Sequence, residues 1–216
     1  MGKTAYSNDN GDVVVATTVL QTERQIKQDK ITYNRPGSYS SAVLLRFSPE
    51  GDCIWIRGGV SEGAGSASTA KDVAIDNDGN CYLIGEYMGG QNTTGKLTFN
   101  ESSVAFPLSV PKVPACGGIF LTKYNAEGVS QYTSNSGTNL NVSNQKPKAF
   151  FVVLSTNENN VYVLGRFSKD FTIWDNTGEN AVSEIKNDAQ SSFFIATFNK
   201  DVGTFKSLTS GEVRNC

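Results

Sequence analysis

The stretch DVAIDNDGNCYLIGEY, residues 72–87, decides the fold of this chain. It reads as a strand over 73–76, a polar turn over 77–80 and a second strand over 81–87. Valine, isoleucine, tyrosine and leucine favour a pleated, half-buried surface, whereas asparagine, aspartate and glycine tolerate the left-handed backbone of a tight turn. The stretch is therefore predicted to form a β-hairpin.

The same hairpin pattern occurs twice more, as AYSNDNGDVVVATTV over 5–19 and as VVLSTNENNVYVLGRF over 152–167. A second shared half follows each hairpin, with an apolar strand that ends in an aromatic residue, a short polar turn and a further strand. Copies return about every 70 to 80 residues, which suits a four-stranded unit. We therefore predict a single domain over 1–216 that consists of three units, near 3–62, 70–138 and 147–212.

Aligning the three copies fixes a register for the strands. Val14, Tyr82 and Tyr162 become equivalent positions, and the aromatic strand ends that correspond are Phe47, Tyr124 and Phe198. A shift by one residue would turn every side chain to the opposite face of its sheet, so the alignment also predicts which residues are buried.

A variable connection separates the two halves of each unit. In the first unit, QTERQIKQDK (21–30) is compatible with a short helical turn, although its apolar periodicity is poor. In the second, GKLTFNESSVAFPLSV (95–110) is expected to form an extra hairpin, and DFTIWDN (170–176) lies in the matching place of the third.

Composition excludes several classes of function. The 216 residues carry a net charge of −2, which argues against a nucleic-acid partner or an anionic membrane. No histidine is present, so Ser-His-Asp and Cys-His catalysis are excluded. No apolar run approaches the length of a membrane span, and the first residues lack the apolar core of a secretory signal. We expect neither membrane insertion nor a signal peptide in this chain.

The repeated residues resemble the bacterial-type β-propeller repeats of surface and secreted proteins. The second unit supplies AIDNDGNCYLIGEY, GKLTFN and FLTKYNAEGVSQY, and the third supplies NNVYVLGRF, DFTIW and FFIATFNKDVGTF. The first unit departs most, with Thr17 where the others have Gly85 and Gly165. The resemblance covers nearly the whole chain and implies an all-β fold of three four-stranded blades, as a partial propeller or half of an oligomeric one. It also favours an extracellular or surface location.

Two clusters are candidate ligand sites. The turn that contains Asp76, Asp78 and Asn80 offers the hard oxygen ligands that calcium prefers, although an ordinary aspartate-rich hairpin turn explains it equally well. Trp174, with Asp170 and Asp175 beside it, is the best candidate for an exposed aromatic that stacks on a sugar. Trp55 is expected in the core instead.

The remaining reactive side chains do not form a recognisable catalytic motif. The carboxylates Asp52, Glu62, Glu86 and Asp170 recur in no pattern that would set two of them face to face, as glycosidase chemistry requires. The cysteines are not spaced as metal ligands and do not repeat with the units, and their redox state stays open; they are Cys53, Cys81, Cys116 and Cys216. No cofactor is expected. Cys81 takes the place of Val13 and Val161 and is expected to be a small buried residue.

These observations predict a non-catalytic binding or structural scaffold that contacts a protein partner through its variable connections. The alternatives are a carbohydrate-binding adhesin and a structural component of a virion or cell surface. Three blades form only an arc, whose end blades would each expose an apolar sheet face. We therefore expect self-association, with two copies supplying six blades, or completion by blades of a longer parent chain or of another protein.

Overall fold

The computed structural model of the chain describes residues 3–7, 9–35, 39–62, 67–88, 95–99, 109–113, 117–137, 148–168, 170–174, 181–185 and 192–212. Within these ranges the regular structure is entirely β, in several antiparallel sheets. No helix in the described part of the chain is long and apolar enough to cross a membrane.

The first sheet is a four-stranded antiparallel meander. Its strands, in hydrogen-bonded order, are β1 (Lys3–Tyr6), β2 (Val13–Val19), β5 (Ser41–Phe47) and β6 (Cys53–Gly58). The connection between β2 and β5 forms a separate hairpin of β3 (Gln25–Gln28) and β4 (Ile31–Asn34). The interpretation of 21–30 as a helical turn is therefore wrong.

The second sheet repeats this meander with β8 (Ala67–Ile75), β9 (Cys81–Met88), β12 (Gly118–Tyr124) and β13 (Ser130–Gly137). The extra hairpin predicted after β9 is confirmed as β10 (Gly95–Thr98) and β11 (Ser109–Val113). Instead of extending its own sheet, β10 pairs with β7 (Val60–Glu62), the short strand that directly follows β6.

The third sheet consists of β14 (Lys148–Leu154), β15 (Asn160–Phe167), β18 (Ser192–Asn199) and β19 (Phe205–Glu212). Its connecting hairpin, β16 (Phe171–Trp174) and β17 (Ala181–Ile185), pairs with β13 and so belongs to the second sheet. The second sheet therefore has six strands where four were expected. In both cases the hairpin inserted in one unit continues the outer edge of the unit before it.

The register predicted from the repeat is confirmed by the strand pairing. Val13 pairs with Phe47, Cys81 with Tyr124 and Val161 with Phe198, so the three strand pairs are in step. As predicted, Cys81 is fully buried.

Neighbouring sheets stack face to face around two apolar cores. The first core joins Val14 and Leu44 of the first sheet to Leu83 and Phe120 of the second. The second core joins the opposite face of the second sheet to the third; its members include Tyr82, Ile84, Leu121, Val163 and Phe194. The hairpins lie at these junctions, since Leu97 and Phe99 belong to the first core, and Phe171 and Ile173 belong to the second.

Gly85 and Gly165 mark a bulge that the second and third sheets share. The pairing slips by one residue opposite each glycine, so that Lys71 and Phe150 are inserted into the first strand of their sheets. A Cβ on Gly85 would meet the carbonyl oxygen of Thr69, and the corresponding glycine meets a carbonyl in the same way. These glycines thus have the structural role of allowing close approach at a bulge.

Candidate functional site

The outer face of the third sheet is an exposed apolar surface. We define the open face as Phe151, Val153, Tyr162, Leu164, Phe193 and Ile195, which alternate with inward residues and pair across strands on one side of the sheet. Phe151, Val153 and Phe193 are exposed by 53%, 49% and 47%. Aliphatic and aromatic groups exposed together to this extent usually mark an interface.

The open face has the same pattern as a face that is buried elsewhere in the molecule. In register, Tyr162, Leu164, Phe193 and Ile195 correspond to Tyr82, Ile84, Ile119 and Leu121 of the second sheet. Those four residues of the second sheet are at most 5% exposed because the third sheet covers them. The open face therefore presents the same kinds of residue, at equivalent positions, as the face of the second sheet that packs against the third.

The opposite end of the stack is covered. On the outer face of the first sheet, Val43 and Ile56 are buried beneath the β3–β4 hairpin, whose Tyr33 packs beside them. The Asp29 carboxylate in the hairpin turn also accepts a hydrogen bond from the Cys53 backbone N–H, at 2.9 Å. The expectation that both end sheets expose an apolar face is thus wrong for the first sheet, because its own connection folds over it.

Each junction between sheets contains the same polar contact. The indole Nε1 of Trp55 on β6 donates to the carbonyl of Ala126 at 3.0 Å, in the β12–β13 turn. One sheet further on, the hydroxyl of Tyr132 on β13 donates to the carbonyl of Lys200 at 3.3 Å, in the β18–β19 turn. Trp55 is buried in the first core, as predicted. The equivalent residue on β19 is Ser207, which is exposed.

Each aromatic ring also packs on a turn glycine of the next sheet. A Cβ added to Gly128 would lie 3.0 Å from the nearest atom of the Trp55 ring, and a Cβ added to Gly203 would meet the Tyr132 ring. Gly51 takes the corresponding place in the first sheet, where no atom of the described residues lies within 4 Å of such a Cβ. The repeated contact is therefore made at two junctions. At one end of the stack the aromatic position is taken by Ser207, and at the other end the turn glycine is Gly51.

Arg46 is a junction residue that the sequence analysis missed. It is buried, forms an ion pair with Asp12, and donates to the carbonyls of Gly79 at 3.1 Å and Ala126 at 2.7 Å. One side chain of the first sheet thereby holds two turns of the second. No repeat signal identifies it, because the equivalent residue in the second sheet is Lys123, which extends over the Tyr82 ring instead.

The candidate calcium turn is stabilised by hydrogen-bond donors. The Asp76 carboxylate accepts from Asn80, through both its backbone N–H and its side-chain amide, from the Asp78 N–H and from the Tyr82 hydroxyl. The Lys200 ammonium lies 3.2 Å from the same carboxylate. Burial raises the pKa of Asp76, but the hydrogen bonds from Asn80, Tyr82 and Lys200 outweigh burial and lower the pKa below its ordinary value. A lysine from the neighbouring sheet supplies the positive charge at this turn.

Of the other predicted site residues, the structure describes Asp170 and the backbone of Trp174. Asp170 is half-buried beside β16, the backbone of Trp174 lies in β16, and the Trp174 side chain and Asp175 are outside the described residues. Sugar stacking by Trp174 therefore stays a prediction. Among the described cysteines, Cys53 and Cys81 are free thiols, and burial raises the pKa of Cys81 to about 12. Cys116 and Cys216 lie outside the described residues.

Comparison with known proteins finds only distant similarity. No protein-family profile and no curated protein matches the chain. Rhamnogalacturonan lyase PL11 of Bacillus licheniformis is similar over 98% of this chain and 41% of its own, at 12% identity and a TM-score of 0.36. BamB from Moraxella catarrhalis is similar over 95% of this chain and 63% of its own, at 10% identity and a TM-score of 0.31.

A third solved structure, the exotype rhamnogalacturonan lyase YesX, is similar over 97% of this chain and 50% of its own, at 9% identity and a TM-score of 0.27. The chain thus spans less than two thirds of the length of each of these three proteins. At such scores the likeness supports no conclusion about activity or ligand.

Proposed function

We propose that this chain is a non-catalytic scaffold module, a three-bladed arc of a propeller that associates through its open face. The observation that carries the proposal is the correspondence between the open face and the buried face of the second sheet. Stacking another sheet there would remove Phe151 and Phe193 from water, at about 25 cal/mol for each Å² of apolar surface. A binding role agrees with the absence of histidine and with the engagement of Glu86 in ion pairs with two lysines.

The propeller arrangement is supported by how the sheets meet. Each sheet is an antiparallel meander, and the first strands of successive sheets contact one another, because β8 contacts β1 and β2 on one side and β14 on the other. Sheets stacked face to face with their first strands gathered together are typical of propeller blades around an axis. The three meanders then correspond to three blades, and each inserted hairpin lies at the rim.

The partner we propose is a second copy of this chain, because the edge strands at its two ends match strands that dock on each other inside the chain. Leu97-Thr98-Phe99 and Phe171-Thr172-Ile173 take matching positions where the second and third units dock on the preceding outer strand. Ile31-Thr32-Tyr33 has the same pattern on β4, which pairs only with β3 among the described strands. At the other end, β19 pairs only with β18 in that part of the chain. Docking β4 of one copy beside β19 of another would repeat the internal junction.

Sedimentation of the intact chain, from low to high micromolar concentration, tests this function. We expect the wild type to form dimers or larger assemblies, and Phe193→Lys to shift the population to monomer because it places a charge in the apolar interface. Val202→Lys is the matched control, since Val202 is also exposed, by 52%, but lies in the β18–β19 turn and not on the open face. A wild-type chain that remains monomeric at high concentration, or equal effects of the two substitutions, would overturn the proposal.

A further inference from the structure

A pocket of about 550 Å³ lies where the second and third sheets meet. It is lined by Lys71 and Glu86 of the second sheet and by 148–151 and Arg166 of the third. The two inserted residues of the shared bulge, Lys71 and Phe150, both belong to this lining. The pocket is thus formed by the repeated irregularity of the first strands, and its volume is within the usual range for a small-molecule site.

The charges of this pocket are unbalanced. A single oxygen of Glu86, Oε2, lies 3.2 Å from the Lys71 ammonium and 3.3 Å from the Lys148 ammonium. Arg166 adds a third cation, so three positive groups face one carboxylate and two positive charges remain. The whole chain has a net charge of −2, which means that this excess is local.

The position of Arg166 favours a planar or apolar group beside the anion. Its side chain is exposed, and its guanidinium lies over the Phe150 ring, 6.0 Å from the centroid. Phe150 is itself 42% exposed, so part of the side chain remains available for contact. A guanidinium held against an aromatic ring still presents its N–H fork to a carboxylate or phosphate.

We infer that this pocket binds an organic anion, whose carboxylate or phosphate group is held by Lys71, Lys148 and Arg166 while its adjoining ring or apolar part contacts Phe150. Glu86 has a double role in this arrangement. It holds the two ammonium groups together, and it competes with the ligand for their N–H donors. Removing its charge is therefore expected to strengthen anion binding, whereas a purely structural ion-pair cluster would bind no better without it.

Titration calorimetry at low ionic strength, with inorganic phosphate, phenyl phosphate and benzoate as probes, tests the inference. Phenyl phosphate is expected to bind more tightly than inorganic phosphate because its ring contacts Phe150. Benzoate separates a carboxylate ligand from a phosphate ligand. Glu86→Gln is expected to raise the affinity several-fold, and Arg166→Gln to lower it about tenfold, as for the loss of one charge-assisted pair. Lys27→Gln, which removes an exposed charge elsewhere, is the control and should change nothing.

Two results would overturn the inference: no heat of binding with any probe, or an equal loss of affinity in Lys27→Gln and Arg166→Gln. Circular dichroism and the melting temperature establish whether each variant is folded. If Glu86→Gln is unfolded, the comparison of Arg166→Gln with Lys27→Gln still decides, because both side chains are exposed. All titrations use one chain concentration, because Phe151 belongs both to this pocket and to the open face.

Discussion

The ion pair between Asp76 and Lys200 joins two sheets and makes the stability of the protein depend on pH. The pKa of Asp76 is lowered in the folded protein, so the carboxylate favours the folded state while it is charged. We expect Asp76→Asn to lower the free energy of unfolding at neutral pH by about 1.5 to 3 kcal/mol, the range for hydrogen bonds to a charged group. The midpoint of urea unfolding measures this difference.

The pH dependence of that difference gives the sign of the effect. Because the folded pKa lies below the unfolded value of about 3.9, the contribution is fully present above that pH and is lost as the pH falls through the folded pKa. Wild type and Asp76→Asn should therefore converge in acid. A gap between them that stays constant down to the lowest accessible pH would show that the charge is not what stabilises the turn.

At the scale of single residues, contacts between neighbours in the sequence could be predicted, whereas contacts between distant residues could not. The turn around Asp76 could be identified, since asparagine and aspartate at a tight turn act within a few residues. The contacts of Arg46 could not, because its carbonyl partners Gly79 and Ala126 are 33 and 80 residues away in the chain. The donors around Asp76 follow the same division. Tyr82 is part of the repeat, but Lys200 comes from a different sheet and adds an ion pair that the local pattern does not reveal.

At the scale of elements, the turn glycines offer a controlled comparison of backbone strain and packing. Gly51 and Gly203 both have positive φ, at 94° and 69°, so alanine carries a backbone penalty at either position. Only at Gly203 would the added Cβ press into an aromatic ring, that of Tyr132. We expect Gly51→Ala to cost about 1 kcal/mol and Gly203→Ala about 2 to 4 kcal/mol in unfolding free energy. Equal costs in urea unfolding would contradict a packing role for the glycine at the junction.

The elements themselves were predictable to different degrees. Strand register followed from the repeat because alternation with period two is strictly local. The segment that forms the β3–β4 hairpin is also compatible with a helical turn, since glutamine, lysine, arginine and glutamate are good helix formers. In the structure Asp29 adopts positive φ at 53° in its turn, a conformation that aspartate tolerates, and the side of the hairpin that carries Tyr33 packs on the first sheet. Tertiary packing has overridden propensity here.

At the scale of the whole molecule, one substitution is expected to complete the aromatic–glycine contact between two copies and so to strengthen self-association. Ser207 on β19 corresponds to Trp55 and Tyr132, and Gly51 in a second copy would be the glycine that such an aromatic ring covers. We expect Ser207→Tyr to tighten self-association about tenfold, which corresponds to the burial of one aromatic ring at an interface. Sedimentation equilibrium measures the change.

Ser210→Tyr is the matched control for this variant. Ser210 is also exposed on β19, but it pairs with Phe194, which faces the second sheet, so a tyrosine there lies on the opposite side from the open face. Tighter association with both tyrosines would indicate non-specific hydrophobic association and would contradict a specific junction. A selective effect of Ser207→Tyr would support end-to-end assembly of the arc.

The docking of each inserted hairpin on the preceding sheet has a consequence for the order in which the protein can form during synthesis. The six-stranded sheet gathers segments from Ala67 to Ile185, and β14 and β15 are made before the β16 and β17 strands that finish it. A nascent chain that stops at the repeat boundary near 138 therefore lacks the outer strands of its second sheet. The second sheet thus extends beyond the unit that repeats in the sequence, and it receives its outer strands only when the next unit has been translated.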